Sequence, residues 1–174
     1  MLLVPGLVSM ALAAGPVLTS AYAAGSDEPS PPKSDSSTKK GKKKSSSVSD
    51  PKFLAAYRTA YTTIYDKHDY TDAIGQLKQL KRDDVADVAN LIGYSYRKLG
   101  DYQSSKVYYE IALKDDPNHV RTWQYYGLWQ LEQGNREQAQ YHLNKIASLA
   151  GTDSSEYRSL AAALDKPTGA TLVY

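Results

Sequence analysis

The chain contains no cysteine. That absence removes disulfide cross-links, thiolate metal sites, a cysteine nucleophile and lipid attachment through cysteine, so stability has to come from packing. Histidine is scarce: His68, His119 and His142 are the only three, and none pairs with another ligand-type side chain in a recognised metal-binding pattern. His68 reads as a turn residue and His119 as a helix-start residue, both at the surface. Serines cluster between residues 25 and 49 and at Ser154-Ser155, without the strand-to-helix elbow that an acyl-transfer nucleophile needs. Acids are spread as on any solvated helical face, and spacing alone makes no hydrolytic pair of them. These gaps argue against an enzyme, and no cofactor or metal is expected.

Charge divides the chain unevenly. The formal net charge is +2, yet six lysines and four acids fall between Gly25 and Asp50, which leaves 15 basic and 15 acidic residues elsewhere. Residues 1–24 are apolar, uncharged and end in Ala21-Tyr22-Ala23, the small-x-small pattern of an export signal. No Lys or Arg precedes the apolar run, so an uncleaved anchor is the alternative, although Pro5 and Pro16 disfavour a regular membrane-spanning helix. Residues 25–50 are rich in Ser, Pro and Lys and cannot bury enough apolar surface to offset chain ordering. They read as a disordered linker. Its Lys39, Lys40, Lys42, Lys43 and Lys44 suit an anionic polymer or membrane surface, or serve only as a solvated tether. Nucleic acid is not expected as a partner, because the run has no aromatic residues to stack on bases.

From Pro51 the pattern changes to helical spacing. Asp50-Pro51 supplies a cap and a first-turn proline, and Tyr57, Tyr61 and Tyr65 follow at intervals of four. Between Ala86 and His119, small or apolar residues fall at Ala89, Ile92, Gly93 and Tyr96 and again at Ser105, Tyr109 and Ala112, around a Gly100-Asp101-Tyr102 turn. The same pattern returns 34 residues later, with Trp123, Tyr126 and Gly127 and then Gly134. An earlier, less regular copy has His68-Asp69-Tyr70 at its turn, 32 residues before Gly100-Asp101-Tyr102. Its Tyr61 falls where the other copies carry glycine, so close helix approach is not expected there. Gly75 lies inside its second helix and costs about 1 kcal/mol relative to Ala unless a neighbour packs over it. Asp153-Ser154-Ser155-Glu156 resembles a capping box that starts one more helix.

The unit from Ala86 to His119 resembles a tetratricopeptide repeat, a helix-turn-helix of roughly 34 residues. The resemblance implies an all-α fold: three such repeats (54–85, 86–119 and 120–153) stacked as a short right-handed solenoid, closed by a capping helix at 154–165, with a frayed tail at 166–174. Stacking is obligatory for such units, since one helix pair cannot bury its apolar face alone. The resemblance also implies a peptide-binding groove lined by Arg58, Thr62 and Tyr65, by Asn90, Tyr94 and Arg97, and by Arg121, Gln124 and Leu128, none of them needed for the core stripes. Joined to the export signal, this gives a non-enzymatic scaffold of the cell envelope, periplasmic, that holds an extended peptide or helix of another envelope protein. The alternative is an envelope polymer-binding protein that stacks sugar rings on Tyr57, Tyr61, Tyr65, Trp123 and Trp129. Self-association through the uncovered surface around Phe53 and Tyr57 is a third possibility.

Overall fold

The computed structural model describes residues 50–167; the expected export signal, the lysine run and residues 168–174 lie outside them. Seven helices and no strand occur among the described residues: α1 (Pro51–Tyr65), α2 (Tyr70–Gln79), α3 (Ala86–Lys98), α4 (Tyr102–Asp115), α5 (Val120–Glu132), α6 (Arg136–Ala150) and α7 (Ser155–Leu164). Their starts follow from local chemistry. The Asp50 carboxylate accepts from the Lys52 amide at 2.9 Å, with Pro51 in the first turn, and Asp69 and Asp101 accept from the Asp72 and Ser104 amides at 3.0 Å each. Such caps satisfy donors that the helix itself leaves unpaired. The capping box at the last helix takes a different form. Ser154, not Asp153, is the cap, and its hydroxyl accepts from the Tyr157 amide at 3.3 Å. Glu156 is thereby one residue too early to reach back, and accepts from the Ser155 hydroxyl instead.

The pairs α1/α2, α3/α4 and α5/α6 are antiparallel hairpins, each turning through a residue with positive φ just before the second helix's cap. Gly100 and Gly134 both sit at φ +79°, and His68 holds the same place at φ +55°, a conformation that costs a non-glycine residue roughly 1 kcal/mol or more. The first turn is one residue longer than the others: residues 66–69 join α1 to α2, against 99–101 and 133–135. The ladder records the same insertion. Asp101 N donates to Tyr96 O and Asn135 N to Gln130 O, whereas Asp69 N reaches back one residue further, to Thr63 O. Within α1 the register against α3 is therefore 33, not 32. Ala60, fully buried, stands in the place of Gly93, and the expectation that Tyr61 fills it is corrected.

That place is where the two helices of a hairpin come closest. A Cβ on Gly93 would lie 2.9 Å from two atoms of the Tyr109 ring and 3.2 Å from Ser105 O, both on α4. A Cβ on Gly127 would meet Leu160 of α7 at 2.5 Å and His142 Cβ of α6 at 3.2 Å. The third repeat's glycine thus seats the capping helix as well as its own partner. The hairpins then stack in one order: α1 touches α3, α3 touches α5 and α5 touches α7, while α2, α4 and α6 each pack on the first helix of the next unit. The helix α7 occupies the position that a fourth repeat's first helix would take. A core of Ile64, Leu77, Val88, Leu91, Ile92, Tyr109, Leu128, Ile146 and Leu160, each 0% exposed, runs the length of the stack. Lys78 of α2 ties it across: its Nζ donates to the Tyr96 hydroxyl at 2.9 Å and lies 5.3 and 5.6 Å from the Tyr96 and Tyr108 ring centres.

His142 is the one histidine inside this packing. Its ring meets Trp123 and Tyr126 edge-on, with centres at 5.0 and 4.9 Å, and its Nδ1 lies 3.2 Å from Trp123 O. Burial pushes the imidazole down to about 4, against the opposing effect of the Trp123 hydrogen bond.

Two predictions follow from this packing. Gly93→Ala should destabilise the domain by roughly 1–3 kcal/mol, because the enclosed Tyr109 ring has nowhere to move. Gly75→Ala should stabilise it by about 1 kcal/mol, since nothing lies within 4 Å of the added methyl and helix propensity alone decides. Urea titrations of the two variants should move in opposite directions. For His142 the unfolded chain binds the proton more tightly than the folded one, so stability is complete above the ordinary histidine value and falls as pH drops toward 4. The loss amounts to about 3 kcal/mol, and His142→Leu should flatten that part of the stability profile measured by denaturant titration between pH 7 and 4.

Candidate functional site

The helices α1, α3 and α5 lie side by side, and the face they share carries most of the residues expected to line a groove. A row of tyrosines crosses it. Ring centres are 4.5 Å apart for Tyr61–Tyr65, 5.5 Å for Tyr65–Tyr94 and 4.8 Å for Tyr94–Tyr125, and Tyr70 meets Tyr94 edge-on at 6.2 Å. The Tyr65 and Tyr125 hydroxyls are 3.0 Å apart. Burial, with the neighbouring Tyr125 hydroxyl, raises the Tyr65 phenol well above its ordinary value, so the Tyr65 hydroxyl stays neutral. Cations face the rings. Arg97 lies 5.7 and 5.9 Å from the Tyr94 and Tyr125 ring centres, and Lys98 lies 5.6 Å from that of Tyr94.

The nine expected groove residues divide into two sets. Arg58 and Thr62 are exposed, while Tyr65 and Arg121 are partly buried. Asn90, Tyr94, Arg97, Gln124 and Leu128 are buried, which corrects the expectation that the core does not need them. The one-residue shift in α1 explains the first repeat: at register 33, Tyr57 and Tyr61 take the repeat positions of Asn90 and Tyr94, and Arg58 and Thr62 fall one step off the row. Arg97 is the most consequential of the buried set. Its Nη1 donates to Tyr125 O at 3.1 Å and its Nε lies 3.4 Å from Glu132 Oε2, so a cation of α3 is built into the wall of α5. The platform expected to hold sugars is partly internal too. Tyr57 and Trp129 are buried, the Trp129 indole donates to Tyr102 O at 3.1 Å and the Trp123 indole to Pro117 O at 2.8 Å.

A polar chain joins α3 to α5 near the start of both helices. His119, the cap residue of α5, is partly buried rather than a free surface side chain. Its Nδ1 lies 2.6 Å from Thr122 Oγ1 and its Nε2 3.1 Å from Asp87 Oδ1, and the Thr122 hydroxyl donates to Asn90 Oδ1 at 3.1 Å. Burial works to raise the Asp87 carboxyl, but the hydrogen bond and charge of His119 and the charge of Arg121 outweigh it and hold the group below its ordinary value. The sequence signal for this chain is slight: a cap residue with Thr three positions on, and an acid and an amide 32 residues before them. Among the described residues no group of three His, Cys, Asp or Glu side chains stands close enough to hold a metal ion.

A family model described as tetratricopeptide repeat matches residues 96–164. It spans α4 to α7 and begins within α3, where the helical hairpins and their glycine contacts are most regular. With the stacked hairpins of the described residues, the match marks this region as a tetratricopeptide-like helical repeat. No curated protein matches it. Tetratricopeptide repeats generally mediate protein–protein interaction, and the family is typically a non-enzymatic interaction module.

The placement of Arg97 makes a direct prediction. Arg97→Ala removes one partner of a buried pair and leaves Glu132 in the wall, which should cost roughly 3–5 kcal/mol. Thermal unfolding of the variant beside the parent should show the loss before any partner is added.

Proposed function

We propose that this protein is a scaffold of the cell envelope that holds an extended segment of another protein on the face shared by α1, α3 and α5. The observation that carries the reading is the conjunction on that face of the partly exposed Tyr61 and Tyr65 with Lys98 and Arg121. Flat aromatic area gives contact at small cost in side-chain entropy, and cations beside it favour a segment bearing carboxylates. The envelope location rests on the apolar residues 1–24 and their small-x-small ending. With Tyr57 and Trp129 committed to the interior, polymer binding has fewer rings to use than a peptide has contacts.

The test uses residues whose loss the core tolerates. Lys98→Glu and Arg121→Glu reverse two partly buried charges on the shared face, and Lys106→Glu reverses an exposed one on α4. Each variant and the parent are used to retain proteins from an envelope extract of the native host, with bound proteins quantified by mass spectrometry. A partner held by the parent and by Lys106→Glu, but at least tenfold less by the other two, supports the reading; charge contacts of this kind are worth about that factor or more. Equal retention by all four would remove the shared face as the binding surface.

A further inference from the structure

The hydrogen-bond chain Asp87–His119–Thr122–Asn90 has a direction, and the direction depends on one proton. A threonine hydroxyl has a single hydrogen. Here Thr122 gives it to Asn90 Oδ1, so toward His119 the Thr122 oxygen can only accept, and the 2.6 Å contact requires a hydrogen on Nδ1. An ionised carboxylate also only accepts, so the 3.1 Å contact between Nε2 and Asp87 Oδ1 requires a hydrogen on Nε2. With the Asn90 amide oriented this way, the arrangement is the one a doubly protonated ring would make.

Neutral imidazole carries one N–H. Kept at Nε2, where it faces the Asp87 carboxylate, it leaves Nδ1 as an acceptor. The Thr122 hydroxyl must then turn to donate to Nδ1, and its oxygen needs a new donor. Asn90 can supply one by turning its amide over, so that Nδ2 replaces Oδ1 beside Thr122. Each step is an exchange of donor for acceptor between atoms already in contact, and both directions leave the contacts satisfied. The pair Thr122 and Asn90 is almost wholly shielded from water, at 0% and 1% exposure, so solvent is a poor substitute for any missing partner.

We propose that this chain is a proton-reading joint between the second and third repeats: deprotonation of His119 reverses its hydrogen bonds and turns over the Asn90 amide. The amide edge that Asn90 turns away from Thr122 changes from donor to acceptor, at the repeat position that Tyr57 and Gln124 hold on the neighbouring helices. The other charged and titratable groups around the joint are accounted for. Arg121, on α5, and Tyr57, on α1, both act on Asp87 electrostatically; the Asp115 carboxylate at the end of α4 accepts from the Ala86 amide at 3.0 Å; and Asp116 accepts from the Asn118 amide at 2.9 Å. The proposal concerns the state of the joint, and stands whether or not a partner occupies the shared face.

The test is a pH series on the uniformly ¹⁵N-labelled full chain, following the His119 ring nitrogens and the Asn90 side-chain amide by NMR from about pH 5 to 8. The expected result is one transition, with the same midpoint at both residues, in which the neutral ring carries its hydrogen on Nε2. Thr122→Val should leave the His119 transition in place and abolish the response of Asn90, and His119→Asn should abolish it as well. Asn90 signals that stay constant while His119 titrates in the parent chain would overturn the proposal, as would a neutral ring with its hydrogen on Nδ1. The parent-chain measurement decides the matter even where a variant folds poorly.

Discussion

The stack depends on how closely two helices of a hairpin can approach. At Gly93 the Tyr109 ring lies where a side chain would begin, and at Gly127 the same space is taken by Leu160 and by the flank of His142. Close approach brings the second helix far enough inward to cover its own partner on one side and to meet the first helix of the next unit on the other. Burial along the stack is continuous for that reason, and no hairpin has a sufficient core by itself. The alanine at position 60 is the weakest form of the same device, which is consistent with a first repeat that is the least regular in sequence.

The second and third repeats were legible because their turns are of equal length. With three residues between helices, an interval of 34 carries every position from Ala86 onward into its counterpart, and pattern alone identifies hairpins, turns and the glycine contacts. The first repeat broke the rule in a way that a count from the turn conceals. One residue is gained between α1 and α2, so an alignment made on His68-Asp69-Tyr70 is right for α2 and wrong by one for α1. In a helix an error of one residue rotates the reading by about 100°. Counting from the turn puts Arg58, Thr62 and Tyr65 at the groove positions, where the register of 33 puts Tyr57, Tyr61 and Ile64. The four-residue turn and the hydrogen bond from Asp69 to Thr63, one residue longer than its two counterparts, expose the insertion.

The candidate site was harder to read for a different reason. Repeat position says which way a residue points, but not how deeply its neighbours cover it. Arg97 looks like a groove cation from its place in α3, yet its partners, Tyr125 and Glu132, are about one repeat further along the chain. Buried arginine is tolerated here because the guanidinium finds a carbonyl, a carboxylate and two ring faces at once. Nothing in the local pattern around residue 97 announces those partners. The same holds for His119, whose neighbours in the chain suggest a plain helix start while Asp87 and Asn90 come from the previous repeat.

The end of the stack shows how one repeat position is rewritten according to what lies above it. Tyr70, Tyr102 and Arg136 open the second helices of the three hairpins and correspond to one another. In the second repeat the Tyr102 carbonyl receives the Trp129 indole from the following unit. In the third, the following unit is α7 alone, and what it presents is the end of a helix, with carbonyls that have no partner inside the helix and the negative pole of its dipole. An aromatic ring offers such an end little. Arginine offers five donors and a positive charge, and Arg136 donates to the Lys166 carbonyl at 3.1 Å and to that of Leu164. With those carbonyls satisfied and with Ser155, Arg158, Ala162 and Asp165 exposed on its outer side, α7 presents water with a mostly polar surface. Among the described residues the stack closes on α7, and that helix is held there because the position that opens on tyrosine in the first two hairpins is a cation in the third.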